Sequence, residues 1–312
     1  MTNKARHTPV MLNEVIESLD IQDNGIYVDA TFGNGGYSEA ILNTKNCKVI
    51  AIDRDPSVIQ KADELKAIYG DRFDFKSGTF GDLATLVGEK VDGVVFDIGV
   101  SSMQLDDGFR GFSFNKEATL DMRMSMQGLS AKDVVNNMSE EELADVIYMY
   151  GEEKKSRQIA KKIVLYRAQK EIETTSELAE SIYSVLPKKF GQTDPATRTF
   201  QAIRILVNDE LNQLENGLKA GSSILKDGGR IVVVDFHSLE DRIVKKFFGD
   251  NAQKRVHTSK YKQNNTLENN DNNLFSFASK AVIPSENECN VNPRARSAKL
   301  RYAIKKKGFI NE

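Results

Sequence analysis

Three glycines and two aspartates form the strongest chemical signal in this sequence. Gly33, Gly35 and Gly36 fall within four positions, and Asp53 and Asp97 each end a later apolar run. Glycine turns bring backbone N–H groups close to a ligand because no side chain intervenes. A carboxylate about 20 residues beyond such a turn can accept hydrogen bonds from both hydroxyls of a ribose. The pattern therefore predicts a binding site for a cofactor that contains adenosine.

Alternating strands and helices must position these residues. Ile26–Ala30 is predicted to be a buried strand, a helix follows the glycines, and Val49–Asp53 is predicted to be the next strand. Val91–Ile98 is a further predicted strand and carries Asp97 near its end. In α/β sheets the ligand lies beyond the carboxyl ends of the strands. We therefore expect both aspartates at one site, with Asp97 towards the reactive end of the cofactor.

The glycine turn leaves three interpretations open. A nicotinamide dinucleotide would require G-x-G-x-x-G, and no glycine lies three positions beyond Gly36. Asp29, on the first strand, disfavours a nearby pyrophosphate but suits a cofactor with an amino group and a sulfonium, such as S-adenosylmethionine. A structural turn without any ligand stays open, because such turns are weak motifs alone. We favour the methyl donor.

Composition restricts the class of protein. The chain has 312 residues, 40% of them hydrophobic, which suffices for one large or two moderate domains. No apolar run approaches membrane-spanning length, and no apolar stretch near the N-terminus resembles a secretory signal, so we expect a cytoplasmic protein. Two cysteines and three histidines give no zinc-ligand spacing, and we expect no metal. Because the formal net charge is −2, any surface for nucleic acid must be local.

The middle of the chain differs from its two ends. Residues 108–207 show amphipathic helices and little strand signal, which predicts a helical insertion into a sheet domain formed by residues 1–107 and 208–312. Capping boxes are predicted at Ser139-Glu-Glu-Glu142 and Thr174-Thr-Ser-Glu177. One of these helices, with Ile159, Ile163 and Tyr166 on its core face, has a basic face that carries Lys154, Lys155, Arg157, Lys161, Lys162, Arg167 and Lys170. Such a face is more often merely solvated than a contact for RNA. Residues 259–273 are polar and Asn-rich, and we expect a mobile loop there. The first helix is predicted to begin at His7, and the last strands are predicted at Phe275–Pro284 and Lys299–Ile304.

Four further residues are candidates for contact with a phosphate-bearing substrate. Arg198 lies near the N-terminal end of a predicted helix, where backbone donors favour phosphate. His237 follows the predicted fifth strand, Arg230–Phe236, and the next helix is predicted to be capped by Ser238, with Asp241 closing a variant of the capping box. Arg294 and Arg296 lie in a basic turn, and their planar guanidinium groups suit phosphate. Phe80, near the third strand, is predicted either to lie against an adenine ring or to belong to the core.

Nine segments match one protein family in order, over a stretch from His7 to Tyr302. They are Asp29-Ala-Thr-Phe-Gly-Asn-Gly-Gly-Tyr-Ser, Ala51-Ile-Asp-Arg-Asp-Pro, Phe96-Asp-Ile-Gly-Val-Ser-Ser-Met-Gln-Leu-Asp, Arg110-Gly-Phe-Ser-Phe, Leu120-Asp-Met-Arg-Met, Tyr150-Gly-Glu-Glu, Pro195-Ala-Thr-Arg-Thr-Phe-Gln-Ala, Phe236-His-Ser-Leu-Glu-Asp-Arg and Asn292-Pro-Arg-Ala-Arg-Ser. The chain resembles the RsmH (MraW) family of bacterial 16S rRNA (cytosine-N4)-methyltransferases. So many long motifs in one order make the resemblance highly specific.

The resemblance implies a class I, Rossmann-like methyltransferase sheet with a helical insertion for the RNA substrate. It also implies S-adenosylmethionine-dependent methylation of N4 of one cytidine in the decoding region of 16S rRNA in the small ribosomal subunit. The cofactor contacts of the family fall on Gly35, Gly36, Tyr37, Asp53, Phe80, Asp97 and Gln104. Many members carry His at the position of Tyr37 and Pro at that of Met103. A tyrosine keeps a ring and a hydrogen-bonding group, so we expect cofactor binding to survive.

The chemistry of an exocyclic amine singles out Asp97 as a candidate catalytic residue. Other amino methyltransferases carry an Asn/Asp/Ser-Pro-Pro-Tyr loop after the fourth strand, and this chain has Asp97-Ile-Gly-Val-Ser instead. We expect the Asp97 turn to replace that loop. From the residues alone, a small-molecule methyltransferase, a dehydrogenase and a non-catalytic rRNA-binding assembly factor stay open. A homodimer is also compatible with the sequence.

Overall fold

The chain divides into two units in the computed structural model. This structure describes residues 9–106, 108–114, 117–253 and 273–308, and only the backbone at residues 102 and 106. The first unit comprises Met1–Asp53, Ser57–Gly99 and Gln213–Glu312, and the second comprises Arg54–Pro56 and Val100–Asn212. The predicted roles of a sheet domain (1–107 and 208–312) and a helical RNA domain (108–207) stay predictions.

A seven-stranded sheet forms the centre of the first unit. Its strands in chain order are β1 Ile26–Asp29, β2 Lys48–Asp53, β3 Phe73–Ser77, β4 Val91–Asp97, β5 Leu225–Asp235, β6 Phe275–Ala278 and β7 Lys299–Lys305. The spatial order is β3-β2-β1-β4-β5-β7-β6. The strands β1 to β5 pair in parallel, whereas β7 is antiparallel to both of its neighbours. This confirms the predicted Rossmann-like methyltransferase sheet.

The strand order reverses between β1 and β4. From β1 the chain adds β2 and β3 on one side of the sheet, and from β4 it adds β5 on the other side. Such a switch point opens a crevice at the carboxyl ends of the strands, where ligands of α/β sheets bind. The central strands are mostly apolar, as expected of strands that are covered on both faces, and their acids lie near the strand ends. Val28, Ile50 and Val94, for example, are nearly or fully buried in one core cluster. Each such side chain contributes about 1.5–3 kcal/mol through burial.

Thirteen helices are found within the described residues. Those of the first unit are α1 Leu12–Leu19, α2 Gly36–Thr44, α3 Ile59–Tyr69, α4 Leu83–Val87, α11 Glu210–Ile224, α12 Ser238–Asn251 and α13 Glu286–Val291, with α11 assigned to this unit from Gln213 onward. Those of the second unit are α5 Ser102–Asp106, α6 Ala131–Asn137, α7 Glu140–Gly151, α8 Ser156–Arg167, α9 Thr175–Tyr183 and α10 Ala196–Asn208. In the described ranges, no helix combines the length and the apolar character needed to cross a membrane.

Capping boxes set the starts of three helices in the second unit. Ser139 accepts a hydrogen bond from the backbone N–H of Glu142, whose carboxylate accepts one from Ser139 in return. The same arrangement starts α9 at Thr174 and α6 at Ser130. Such caps contribute about 1 kcal/mol each. The predicted boxes at Ser139 and Thr174 are confirmed.

Two sequence predictions in the first unit are corrected. The cap of α12 was expected at Ser238 with Asp241, but His237 Nδ1 accepts from the backbone N–H of Glu240 at 3.4 Å. Asp241 is unavailable because it binds Lys299 and Arg301. The predicted strand 275–284 ends after four residues. The predicted loop 259–273 lies outside the described residues except for residue 273, as does the predicted start of the first helix at residue 7.

Candidate active site

Three aspartates lie on one face of the sheet at its carboxyl edge. Asp29 is paired with Ala51 of β2 and with Val95 of β4. Directly paired residues point to the same face, and side chains alternate along a strand. Asp53 and Asp97 are each two residues beyond these partners, so their side chains share the face of Asp29. Neighbouring strands are about 4.8 Å apart, and the two outer acids therefore flank β1.

Asp53 is bound to the glycine turn. Its Oδ2 accepts a hydrogen bond of 2.8 Å from the backbone N–H of Gly33. The N–H of Gly35 is also used within the turn, since it donates to the carbonyl of Phe32 at 2.7 Å. These two donors therefore shape the turn and orient the Asp53 carboxylate.

Asp29 is a fully buried acid that fastens the start of α2. Its Oδ2 accepts from the hydroxyl of Ser38 at 2.7 Å and from the backbone N–H of Ser38 at 3.1 Å. Burial raises the pKa of Asp29 to about 6, although the bonds from Ser38 and Thr31 oppose the rise. The nearby charge of Asp53 raises it further.

Asp97 has a carboxylate oxygen that is buried and, within the described residues, has no hydrogen-bond partner. This atom is Oδ1. The backbone N–H of Asp97 donates to Thr31 Oγ1 at 2.7 Å and so holds the end of β4 against the turn after β1. Burial, followed by the charges of Asp29 and Glu240, raises the pKa of Asp97 to about 8. An ionised Asp97 is therefore costly unless a cation lies beside it.

Packing and backbone conformation explain why positions 35 and 36 are glycines. Gly35 has φ +75° at the cap of α2, and a Cβ there would lie 2.9 Å from the ring of Phe32. A Cβ at Gly36 would overlap the ring of Pro9. Only glycine fits these two positions, with or without a ligand.

Tyr37 turns its side chain into the core. The ring is 3% exposed, and its hydroxyl donates a hydrogen bond to the carbonyl of Val10. Burial, then the charges of Asp97 and Asp29, raises the pKa of Tyr37 well above its usual value. The predicted cofactor contact at Tyr37 stays a prediction, and the hydroxyl serves the fold.

Phe80 is half-buried and packs against the sheet. Its ring meets that of Phe96 edge to face, with centroids 5.9 Å apart, and a Cβ at Gly217 of α11 would lie 2.8 Å from Phe80. These contacts indicate that the inner side of the Phe80 ring belongs to the core. Contact with adenine stays a prediction.

Gln104 lies in the second unit and is buried at the end of a polar network. Its Nε2 donates to Asp55 at 2.7 Å, and its Oε1 accepts from the backbone N–H of Ser101. Asp55 also binds Arg110 in a buried ion pair of 3.0 Å. These bonds hold α5, which carries Gln104, to the segment 54–56. The predicted cofactor contact is untested.

The four predicted RNA contacts are distributed over both units. Arg198 belongs to the second unit and is exposed near the start of α10. Arg294 and Arg296 are exposed in a turn of 3₁₀ helix before β7. His237, by contrast, is largely buried, and its Nε2 lies 3.1 Å from Glu240 Oε1. Its side chain therefore serves the start of α12.

Comparison with known proteins identifies the family. The family model described as the MraW methylase family matches residues 4–306. The chain belongs to the MraW methylase family. Ribosomal RNA small subunit methyltransferase H of Rickettsia massiliae is 54% identical over 298 residues, covering 95% of this chain and 97% of the relative. The protein of the same name from Rickettsia bellii is 53% identical, covering 96% of this chain and 98% of the relative. The predicted family is confirmed.

Solved structures give weaker likenesses. An rRNA methylase from Streptococcus thermophilus is 10% identical with a TM-score of 0.43, covering 94% of this methylase and 95% of that chain. A SAM-dependent O-methyltransferase from Thermotoga maritima is 12% identical with a TM-score of 0.43, covering 98% and 70% respectively. Both scores lie below 0.5, so the fold assignment rests on the strand order.

The acidic face fits the cofactor of a methylase. S-adenosylmethionine carries an ammonium and a sulfonium, and the buried Asp97 and Asp29 are acids whose ionisation a nearby cation would favour. Oδ1 of Asp97 is buried and has no hydrogen-bond partner among the described residues, so a donor or cation at this face would stabilise it. A pyrophosphate would instead add negative charge to this face. The cofactor of this methylase is S-adenosylmethionine, as predicted.

Asp235 is a buried acid of this methylase that the sequence analysis did not single out. It ends β5, is fully buried, and neither carboxylate oxygen has a hydrogen-bond partner among the described residues. Burial, then the charges of Asp241 and Glu240, raises its pKa to about 8, which Lys299 and Arg301 oppose. The signal was present, since Val-Val-Val-Asp repeats the apolar run before Asp53 and Asp97. Val234 pairs with Asp97, so Asp235 points to the opposite face.

Proposed function

We propose that this methylase transfers a methyl group from S-adenosylmethionine to N4 of a cytidine in the decoding region of 16S rRNA. The observation that carries the substrate class is the 54% identity, over nearly the full length of both chains, with proteins named ribosomal RNA small subunit methyltransferase H. The choice of N4 rests on the nine motifs described above and on the acidic strand end at Asp97. The partner is accordingly the small ribosomal subunit or its rRNA.

The reaction requires help at the amine. The exocyclic nitrogen of cytosine is a poor nucleophile because its lone pair is delocalised into the ring. Bound S-adenosylmethionine supplies an electrophilic methyl group. The nitrogen gains positive charge as it attacks, so an acceptor placed beside its N–H stabilises the transition state. Holding amine and methyl group in line contributes a large further part of the rate.

Asp97 is the proposed acceptor. Its Oδ1 is buried at the carboxyl edge of the sheet and has no partner within the described residues. The bond from its own N–H to Thr31 fixes the backbone that carries it. Burial raises the pKa of Asp97 to about 8, and a cofactor cation beside it would favour the ionised form, which can accept a proton near neutral pH. Asp97 therefore takes the N–H proton that the amine loses.

Asp53 and the basic residues have binding roles in this proposal. Asp53, oriented by Gly33, accepts hydrogen bonds from the ribose of the cofactor. Arg198, Arg294 and Arg296 are exposed and bind RNA phosphates. The target base leaves its stack to reach the site, as in other enzymes that modify a base.

Methyl transfer to small ribosomal subunits that lack the modification tests this function. Radiolabelled S-adenosylmethionine is incubated with the protein and the particles, and the labelled nucleotide is mapped. We expect one labelled cytidine in the decoding region, carrying the methyl group on N4. Label on another base or atom would refute the target. Particle binding without label would favour a non-catalytic assembly factor, and label only on small molecules would favour the other alternative.

A further inference from the structure

Five basic residues without an ion-pair partner in the described part of the chain lie on the exposed side of α8 or directly before it. The residues are Lys154, Lys155, Arg157, Lys161 and Lys162, and all five are exposed. The helix itself contains no acidic residue. In the part of the chain that the structure describes, none of the five takes part in an ion pair. We call these five residues, together with Arg198, the α8 surface.

Packing fixes which side of α8 faces outward. Ile159, Ala160 and Ile163 are fully buried in the core of the second unit. Arg157 and Lys161 lie on the other side, one turn apart, which is about 6 Å along the helix axis. The basic residues are therefore held in an ordered row by the burial of the opposite side.

Local stability does not explain this arrangement. Arg157 lies in the first turn of α8, where the positive end of the helix dipole disfavours a cation. Like charges at Arg157 and Lys161 are spaced i,i+4 and repel each other.

Two other lysines of the same unit are paired. Lys132 lies 3.0 Å from Glu173 and 3.3 Å from Glu171, and Lys170 contacts Glu177. Lys161 and Lys162 of α8 have no such acidic partner among the described residues.

Arg198, predicted independently to contact RNA, borders the same surface. Its Nη1 donates to the carbonyl of Glu152 at 3.4 Å and lies 3.7 Å from Glu153. A Cβ at Gly151 would lie 2.6 Å from the carbonyl oxygen of Arg198, so the start of α10 packs closely on the end of α7. The acids of this connection are Glu152 and the buried Glu153, which also accepts from the N–H of Lys155. Arg198 therefore lies beside the segment that precedes α8, and Glu153 partly balances its charge.

We propose that the α8 surface binds the phosphate backbone of the rRNA substrate. The inference rests on the proposed function and adds to it the surface that holds the RNA. Charge complementarity selects the occupant, because an RNA strand presents regularly spaced phosphates and a row of lysines and arginines binds them with release of counterions. Such contacts position the substrate and carry no sequence information. These residues are positioning residues and take no part in the chemistry.

A charge reversal with a matched control tests the α8 surface. The test variant is K161E/K162E, and the control is K245E/K246E, which reverses two adjacent exposed lysines of α12 and changes net charge equally. The probe is the unmodified small ribosomal subunit. We expect the test variant to raise the KM for particles about tenfold with kcat unchanged, and to weaken the salt dependence of binding by about 1.4 in log–log slope, about 0.7 for each lost contact. The control should change KM less than twofold.

Three results would overturn the proposal. One is a wild-type KM and salt slope in the K161E/K162E variant. Another is an equal loss in both variants, which would indicate bulk charge. The third is a wild type that does not bind or methylate particles, which would refute the proposed function as well. Cofactor affinity and melting temperature verify that each variant is folded. The neutral variant K161Q/K162Q should also raise the KM, but by less than K161E/K162E.

Discussion

At the residue scale, Asp97 and Asp53 have different environments despite equivalent positions at the ends of the two strands that flank β1. Asp53 accepts the N–H of Gly33, whereas Asp97 has a buried oxygen without a partner among the described residues. An acid that already accepts a backbone N–H is suited to binding, because its ionised form is stabilised. An acid with a raised pKa is suited to proton uptake.

Asp97→Asn should therefore impair chemistry more than binding. The amide keeps the shape of the side chain but cannot take up a proton. We expect the single-turnover rate at saturating cofactor to fall about 10²–10³-fold, with the Kd for cofactor changed only a few-fold.

Asp53→Asn is the matched control and should show the reverse pattern, a raised Kd for cofactor and a nearly normal rate once saturated. A full single-turnover rate in Asp97→Asn would remove Asp97 from the chemistry.

Asp235 should make stability depend on pH. Its pKa is about 8 in the folded protein, above the ordinary value near 4. The folded state therefore keeps a proton that the unfolded chain has released, and wild-type stability falls as pH rises from about 4 to about 8. Asp235→Asn removes this pH-dependent loss of stability because an amide does not ionise. We expect the free energy of unfolding of the variant to exceed that of the wild type by about 1–3 kcal/mol at pH 8 and much less at pH 5, measured with urea.

Asp241→Asn supplies the opposite sign as a control. Lys299 and Arg301 lower the pKa of Asp241 despite its partial burial. Its contribution to stability is present above the ordinary pKa and is lost as pH falls, so the variant should be destabilised at pH 8. A pH-independent difference between Asp235→Asn and the wild type would contradict the role given to Asp235.

At the scale of elements, the turn between β1 and α2 combines strain with close packing. Gly35 and Gly88 both have left-handed backbone, at φ +75° and +70°. A Cβ at Gly35 would meet Phe32 and Leu65, whereas a Cβ at Gly88 would meet nothing within 4 Å. The two positions separate the cost of backbone strain from the cost of a steric clash.

Gly88→Ala should cost about 1 kcal/mol, the strain of a left-handed residue. Gly35→Ala should cost at least about 2 kcal/mol, because the turn must also shift away from Phe32. Since this shift moves Gly33 and its bond to Asp53, Gly35→Ala should also weaken cofactor binding, measured by calorimetry. Equal stability losses in the two variants, with normal cofactor affinity in both, would show that the turn does not hold the site in shape.

At the scale of the whole molecule, the charge is nearly balanced and the basic residues are concentrated locally. The formal net charge is −2, so long-range attraction of RNA by the whole protein is weak. Affinity for RNA must come from groups such as the α8 surface and the turn with Arg294 and Arg296. The distribution of charge, rather than its sum, then governs substrate binding.

Salt should therefore act on the two substrates differently. Raising salt from about 50 to about 200 mM should lower kcat/KM for small ribosomal subunits by at least tenfold, because phosphate contacts release counterions. The Kd for S-adenosylmethionine should change less than about threefold, since that site is buried and its charges are less screened. Parallel measurements on both substrates test this, and equal salt sensitivity, or none, would favour a small-molecule substrate.

The sequence by itself determined the sheet, the family and the candidate acids. Apolar runs ending in Asp53 and Asp97 predict strands with acids at their tips, since period and length are local properties. Serine and threonine caps predicted the starts of α7 and α9 for the same reason. Apolar runs and helix caps can be recognised in the sequence without knowing which distant residues they contact.

Only the tertiary structure decided what each polar group does. The sequence does not reveal that Pro9 occupies the space above Gly36, that Tyr37 donates to Val10, or that Asp241 is held by β7 and leaves the α12 cap to His237 and Glu240. These contacts join residues far apart in the chain. The electrostatic difference between Asp97 and Asp53 arises in the same way, because desolvation and hydrogen bonding depend on neighbours that folding brings together.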